Sequence, residues 1–123
     1  MNEIQKNKEY LEGNIKKIHT SSLHKFNPLP KLIAISKKQP EFKIKMALKS
    51  GHRIFGENRV QEAEKRWFPF LEEINDLQLH LVGPLQTNKV KKALKLFNFI
   101  HSLDRESLAL EISHNMTNET KTK

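Results

Sequence analysis

Four short apolar runs constrain the fold of this 123-residue chain more than any other sequence feature. Their centres lie near residues 34, 54, 80 and 100, and each interval between them holds one segment with helical periodicity. This spacing is typical of βα units in a parallel sheet, because antiparallel hairpins would need short turns at these points. Four consecutive βα units fit either a small open α/β sheet or the first half of a (β/α)8 TIM barrel, which needs ~250 residues to close.

The apolar periodicity also predicts where the individual elements lie. We expect an N-terminal helix from Glu3 to about His24, strands at 32–36, 53–56, 77–82 and 97–102, and helices at 40–50, 59–74, 87–96 and 105–113. Pro69 predicts a kink or an early end in the third helix. The polar tail at 114–123 lacks periodicity, so it predicts a frayed end and no fifth strand. The chain is therefore expected to form one domain over 1–123, ordered at about 3–113.

Composition excludes several classes of protein. The chain is 37% hydrophobic and 29% charged and contains no cysteine, which is a soluble globular composition without disulfides or thiolate metal sites. It has no apolar run of the ~18–20 residues that a membrane span needs, and its first residues do not resemble a secretory signal. We therefore expect a cytoplasmic protein that does not bind membranes.

The net charge of +8 raises the question of nucleic-acid binding. However, 18 of the 22 basic residues are lysines spread along the chain, whereas arginine is the residue suited to bidentate reading of phosphates and bases. The densest basic segment, with Lys89, Lys91, Lys92 and Lys95, has the spacing of a solvated helix face. A basic module that binds RNA or another anion is thus an alternative, but it is not the favoured one.

Lys37 is the most suggestive residue at a predicted strand end. Ligands of parallel α/β proteins bind at the carboxyl ends of the strands, and Lys37 directly follows the first apolar run. A lysine held on a rigid element can attack a carbonyl as the neutral amine, and pyridoxal phosphate (PLP) is an aldehyde that forms a Schiff base with such a lysine. The simpler reading is that one of 18 lysines happens to lie in a solvated loop.

The other strand-end segments have simple structural explanations. Asn58 and Gln61 have the spacing of a capping box, in which Glu57 would be an anion favoured by the helix dipole. Thr87 is interpreted as a helix N-cap, because 83–89 lacks the glycine pattern of a phosphate-binding loop. The histidines show no metal-ligand spacing and His80 is expected to pack inside a strand, so we predict neither a metal site nor a catalytic triad.

Taken together, four segments resemble one family. They are LIAISKKQP at 32–40, FGENRVQEA at 55–63, HLVGPLQTNKVKK at 80–92 and IHSLDR at 100–105. In this order and at these separations, they resemble the motifs of the pyridoxal phosphate homeostasis proteins, the YggS/PROSC family. The resemblance covers about 3–113, which corresponds to the N-terminal half of a family member.

The resemblance implies a fold, a cofactor and a role. It implies a (β/α)8 barrel like the barrel domain of alanine racemase, in which Lys37 holds PLP as a Schiff base. Asn58 would lie near the cofactor, and a weaker carry-over extends to Gln86, Thr87, Asn88, His101 and Ser102. The implied role is in intracellular vitamin B6 balance without a catalytic activity. A racemase-like enzyme is the alternative, but we find no candidate for its second acid/base residue.

The resemblance also implies a limit. Family members are about twice as long, and their second half supplies the loops that grip the phosphate and the arginine that faces the pyridine nitrogen. We therefore expect a truncated barrel with impaired cofactor binding. Unpaired strand edges favour self-association or pairing with a separate C-terminal half.

Overall fold

The computed structural model describes residues 3–23, 25–117 and 120–123, which divide into two compact units. The first unit, Met1–Ile33 with Gln39–His52, contains the helices α1 (Glu3–Thr20) and α2 (Glu41–Lys49). The second unit, Ala34–Lys38 with Arg53–Lys123, contains the sheet and the remaining helices.

The sheet has four parallel strands. They are β1 (Ala34–Ile35), β2 (Ile54–Glu57), β3 (Gln78–Leu81) and β4 (Phe99–Ile100). Their order is β1-β2-β3-β4, so each strand lies beside its neighbour in the sequence. Consecutive order is that of a (β/α)8 barrel, whereas a doubly wound sheet reverses its order at a switch point. The predicted fold class is confirmed, although all four strands are shorter than the apolar runs or end at different residues.

The helices of the second unit follow the predicted order with shifted ends. They are α3 (Val60–Leu71), α4 (Val90–Leu96) and α5 (Glu106–Asn115), and a single 3-10 turn, Thr87–Lys89, precedes α4. Pro69 lies inside α3, which continues for two residues beyond it. The buried residues of α3 are Val60, Ala63, Trp67 and Phe70. Phe70, the residue directly after Pro69, therefore completes the buried apolar face of α3.

The lysines of α4 lie on its solvent side. Val90, Ala93, Leu94 and Leu96 are buried, whereas Lys91, Lys92 and Lys95 are exposed. This division is that of an amphipathic helix with one face in the core. It agrees with the interpretation of the basic segment as a solvated face.

The helices of the first unit confirm one terminus and correct another. Gly51 adopts a φ of 91° just after α2, as expected for a glycine at the C′ position. Helix α1 ends at Thr20, and the predicted end at His24 lies outside the described residues. None of the residues of α1 is buried, so its apolar stripe is less covered than the periodicity predicts.

An aromatic cluster forms the centre of the second unit. Trp67 is fully buried, and its ring centroid lies 4.6 Å from that of Phe55 and 5.7 Å from that of Phe70. Such tilted and edge-to-face pairs add ~0.5–1.5 kcal/mol to the burial of the rings. Because Phe55 belongs to β2 and Trp67 to α3, the cluster fixes the helix on the strand that precedes it.

The end of the chain differs from the predicted frayed tail. The Lys123 amide donates to the Asn98 carbonyl and the Ile100 amide donates to the Lys123 carbonyl, both at 2.9 Å. These two bonds flank Phe99 in the pattern of a parallel ladder. Thr122 is buried, and its hydroxyl donates to the Phe97 carbonyl at 2.6 Å. The backbone of Lys123 therefore pairs with β4, because main-chain hydrogen bonding does not require an apolar sequence.

Within the part of the chain that the structure describes, no helix is both long enough and apolar enough to span a bilayer.

Candidate functional site

The strand register brings the candidate site residues to one edge of the sheet. Ile35 pairs with Gly56, Glu57 with Leu81, and Leu81 with Ile100. Lys37, Asn58 and His101 follow the last residues of β1, β2 and β4 by one or two positions. Because the strands are parallel, their carboxyl ends meet at the same edge of the sheet, so Lys37 and Asn58 follow adjacent strand ends.

Lys37 lies in an exposed turn that follows β1. The turn comprises Lys37 and Lys38, and the backbone of Lys38 has a φ of 57°. A left-handed conformation is uncommon for a residue with a side chain and costs ~1–2 kcal/mol. The turn reverses the chain directly after Ser36, whose amide donates to the Gly56 carbonyl at 3.0 Å. Lys37 is thus anchored on its N-terminal side by the last hydrogen bond between β1 and β2.

The Ser36 hydroxyl contacts a buried carboxylate, that of Glu57, for which the sequence predicted a different environment. Glu57 is the last residue of β2 and is fully buried, whereas the capping-box interpretation treated it as an anion favoured by the helix dipole. It accepts hydrogen bonds from the Ser36 hydroxyl, from Arg66 Nη1 at 2.6 Å and from Trp67 Nε1 at 2.9 Å. We call these four residues the Glu57 cluster. A buried carboxylate needs such partners, and here the arginine also balances its charge.

Two of the predicted helix caps are wrong. The N-cap of α3 is Arg59, and no side chain makes a capping hydrogen bond there, so Asn58 and Gln61 do not form a capping box. Asn58 lies one residue too early because β2 continues through Glu57. Likewise Thr87 is not an N-cap, since Gln86 precedes the 3-10 turn and α4 begins only at Val90. Asn58 is half-buried and is left available for another role.

A close backbone contact joins the loops that follow β2 and β3. A Cβ atom added to Gly83 would lie 2.8 Å from Asn58 Cα and would overlap the Asn58 carbonyl. Only glycine fits at this approach. The position of Asn58 is therefore fixed by its backbone contact with Gly83 as well as by its place after β2.

A groove of about 910 Å³ opens beside these loops. It is lined by Asn58 and Gln86, by the first turn of α3, by the segment 84–86 and by the cations Arg59, Lys65, Lys89 and Arg105. Its volume falls within the ~300–1,000 Å³ of small-molecule sites. Asn58 and Gln86 are thus the two predicted residues that the structure brings together in a cavity. Lys37, Thr87, Asn88, His101 and Ser102 do not line it.

The remaining candidates hold the loops after β3 and β4 together. His101 Nε2 lies 2.9 Å from Nδ1 of His80, which is buried in β3 and stacks on Phe99, as expected for a packed histidine. The Ser102 hydroxyl donates to the Gly83 carbonyl at 2.6 Å. Arg105 donates to the Leu85 carbonyl at 2.7 Å. These contacts support the rim of the sheet, and they give His101 and Ser102 a structural role.

Among residues 3–23, 25–117 and 120–123, no three histidine, aspartate or glutamate side chains converge on a point that could hold an ion.

The Glu57 cluster is the part of the site that sequence reasoning missed. Its signal was present in the chain: Glu57 ends an otherwise apolar strand, and Arg66 and Trp67 lie two turns into the next helix. A charged residue is seldom buried unless it is paired, so the sequence offers Arg66 as a partner but does not show that Glu57 is buried.

This chain is similar in fold and in sequence to several known proteins. The fold matches PipY of Synechococcus elongatus, solved with PLP bound, with a TM-score of 0.77 and 36% identity over 92% of this chain and 48% of PipY. The PLP-free form of PipY matches with a TM-score of 0.66. Curated relatives include the pyridoxal phosphate homeostasis protein of Vibrio cholerae, 36% identical over 92% of this chain and 48% of its own length. That of Aquifex aeolicus is 45% identical over 67% of this chain and 35% of its own length. No family model matches the chain.

The four parallel strands lie in consecutive order, and a turn that contains Lys37 follows β1. The alternating strands and helices therefore belong to the same barrel class as PipY. The chain is similar to proteins named pyridoxal phosphate homeostasis proteins. It spans about half the length of the curated relatives that it matches.

Proposed function

We propose that this chain binds PLP through a Schiff base to Lys37 and takes part in PLP homeostasis. The observation that carries the proposal is the similarity to PLP-bound PipY over 92% of the chain, combined with the place of Lys37. Lys37 is exposed at the carboxyl end of β1, where ligands of parallel α/β proteins bind. Asn58, the residue that follows the adjacent strand β2, is the second proposed contact.

The residues present fit the aldehyde end of the cofactor. Lys37 would hold the cofactor through its side-chain nitrogen, and the cofactor would supply an aldehyde, which condenses reversibly with a primary amine with the loss of one water. This bond requires a primary amine in its neutral form, and Lys37 carries that amine on an exposed turn at a strand end. We propose no catalytic role for the chain, because the relatives are named as homeostasis proteins and no second acid/base residue has been identified opposite Lys37.

The phosphate end of the cofactor is the proposed weak point. We propose that the described residues form the first half of a barrel domain and that the grip on the phosphate in longer relatives comes from their second half. On this proposal, pyridoxal and PLP attach to Lys37 with similar affinity in this chain.

The test is covalent trapping on the full chain. Purified protein is mixed with PLP, reduced with borohydride and analysed by peptide mapping beside Lys37→Ala and the control Lys43→Ala, which removes an exposed lysine of α2. We expect the Schiff-base absorbance and most of the fixed label to disappear only in Lys37→Ala. Label spread evenly over many lysines, unchanged in Lys37→Ala, would overturn the proposal. A parallel titration with pyridoxal tests the phosphate, and a large preference for PLP would contradict its weak grip.

A further inference from the structure

We infer that Glu57 is a positioning residue for Lys37 and that it acts through the Ser36 hydroxyl. This inference rests on the proposed function, because it concerns how the Lys37 amine is presented to an aldehyde. Glu57 does not touch the proposed ligand position itself. It is fully buried beneath the turn that carries Lys37.

The first argument is connectivity. Ser36 is bonded covalently to Lys37, is 3% exposed, and makes three contacts with the end of β2. Its amide donates to the Gly56 carbonyl, and its hydroxyl donates to the Glu57 carboxylate and, at the longer distance of 3.4 Å, to the Gly56 carbonyl. The residue before Lys37 is therefore held at both its backbone and its side chain, whereas Lys37 and Lys38 are exposed. Any change in the Glu57 carboxylate is transmitted to Lys37 through one residue.

The second argument is rigidity. Two donors of α3 also hold the carboxylate. Arg66, whose side chain is 16% exposed, donates to Oε1, and the buried Trp67 donates to Oε2, the oxygen that Ser36 also contacts. Helix α3 therefore fixes the orientation of the Glu57 carboxylate that Ser36 contacts. A hydrogen bond to a charged acceptor is about twice as strong as one between neutral groups. The structure thus ties the start of the lysine turn to the rigid β2–α3 pair.

The third argument concerns what a stability role alone would require. Arg66 and Trp67 would by themselves balance the charge of the buried carboxylate and satisfy its oxygens with hydrogen bonds. Both of these bonds lie within one βα unit. The bond to Ser36 is the one that reaches a different strand, and it ends beside the proposed Schiff-base lysine. This additional bond makes the cluster specific to the position of Lys37.

The experiment measures site selectivity in the full chain. After trapping with PLP and borohydride, peptide mapping gives the ratio of label on Lys37 to label on the other lysines. The variants are Ser36→Ala, Glu57→Gln and the double variant. The control is Thr122→Val, which removes a buried hydroxyl hydrogen-bonded to Leu94 and Phe97 in the same unit. All are compared at a temperature at which circular dichroism shows them folded.

We expect the ratio to fall about tenfold in Ser36→Ala and in Glu57→Gln. The double variant should fall no further, because both changes break the same link and coupled residues are not additive. Thr122→Val should keep the wild-type ratio. Amide exchange supplies a readout without any cofactor: the Ser36 amide should lose protection in both single variants and not in Thr122→Val.

Several results would overturn the inference. It is wrong if Lys37 stays selectively labelled in Ser36→Ala, or if selectivity falls in Thr122→Val as much as in the cluster variants, since the effect would then follow stability alone. If Glu57→Gln does not fold, Ser36→Ala decides, because it leaves the ion pair with Arg66 intact. Loss of selectivity in the wild type would instead refute the proposed function, and amide exchange at Ser36 would still test the link to Glu57.

Discussion

Gly83 lies so close to the backbone of Asn58 that no side chain fits between them. A Cβ at Gly83 would come within 2.9 Å of the Asn58 carbonyl carbon. This contact joins the loop after β3 to the loop after β2, beside the cationic groove that Asn58 lines. One proposed cofactor contact is therefore placed by a glycine on a different strand end.

The first prediction tests this contact. Gly83→Ala should lower the free energy of unfolding by ~1–3 kcal/mol, because the added methyl must displace backbone. Gly13→Ala is the matched control: nothing lies within 4 Å of its added Cβ in α1, so it should stabilise by ~0.5–1 kcal/mol. Urea unfolding measures both. Equal effects of the two substitutions would show that the Gly83–Asn58 contact is not tight.

The second prediction concerns the buried ion pair. Glu57→Gln removes the charge that balances Arg66 and places an amide donor among three donors. We expect the free energy of unfolding to fall by ~3–5 kcal/mol, which is the usual cost of removing one partner of a buried ion pair and leaving the other unpaired. For comparison, Asp76→Asn breaks the exposed pair with Arg53 and should cost less than ~1 kcal/mol. Chemical denaturation that gave similar losses for both would contradict the burial of Glu57.

The third prediction concerns the backbone of the lysine turn. Lys38 has a φ of 57°, so Lys38→Gly should stabilise the chain by ~1 kcal/mol by relieving the left-handed conformation. Lys38→Thr should destabilise it, because β-branched residues rarely adopt positive φ. Both variants remove the same charge, so the difference between their stabilities reports the cost of the left-handed backbone conformation. Thermal melts in which the two variants coincide would argue against this turn geometry.

The fourth prediction concerns the end of the chain. Deletion of residues 120–123 removes the acceptor of the Ile100 amide, which should then lose its protection from hydrogen exchange. The His101 amide donates to Leu81 and should remain protected, so it serves as an internal control. A fully protected Ile100 amide in the shortened chain would show that Lys123 does not pair beside β4.

Much of the fold could be predicted from the sequence. The four apolar runs and the helical segments between them specify a parallel sheet, because local periodicity and spacing are properties of the chain itself. For the same reason Lys37 and Asn58 could be placed at strand ends. The element boundaries were less well predicted: β2 continues through Glu57, so the helix begins after Asn58 and the expected capping box does not form.

The sequence by itself determined the order of the βα units, the parallel class of the sheet and the strand end that carries Lys37. Only the tertiary structure decided that Glu57 is buried beneath that lysine, that Gly83 holds Asn58, and that Lys123 pairs beside β4. The physical reason is the range of the interactions. Periodicity reflects neighbours a few residues apart, whereas these three contacts join residues about 20 or more apart in the sequence. No local propensity distinguishes a glutamate that is exposed to solvent in the folded protein from one that is buried in the core.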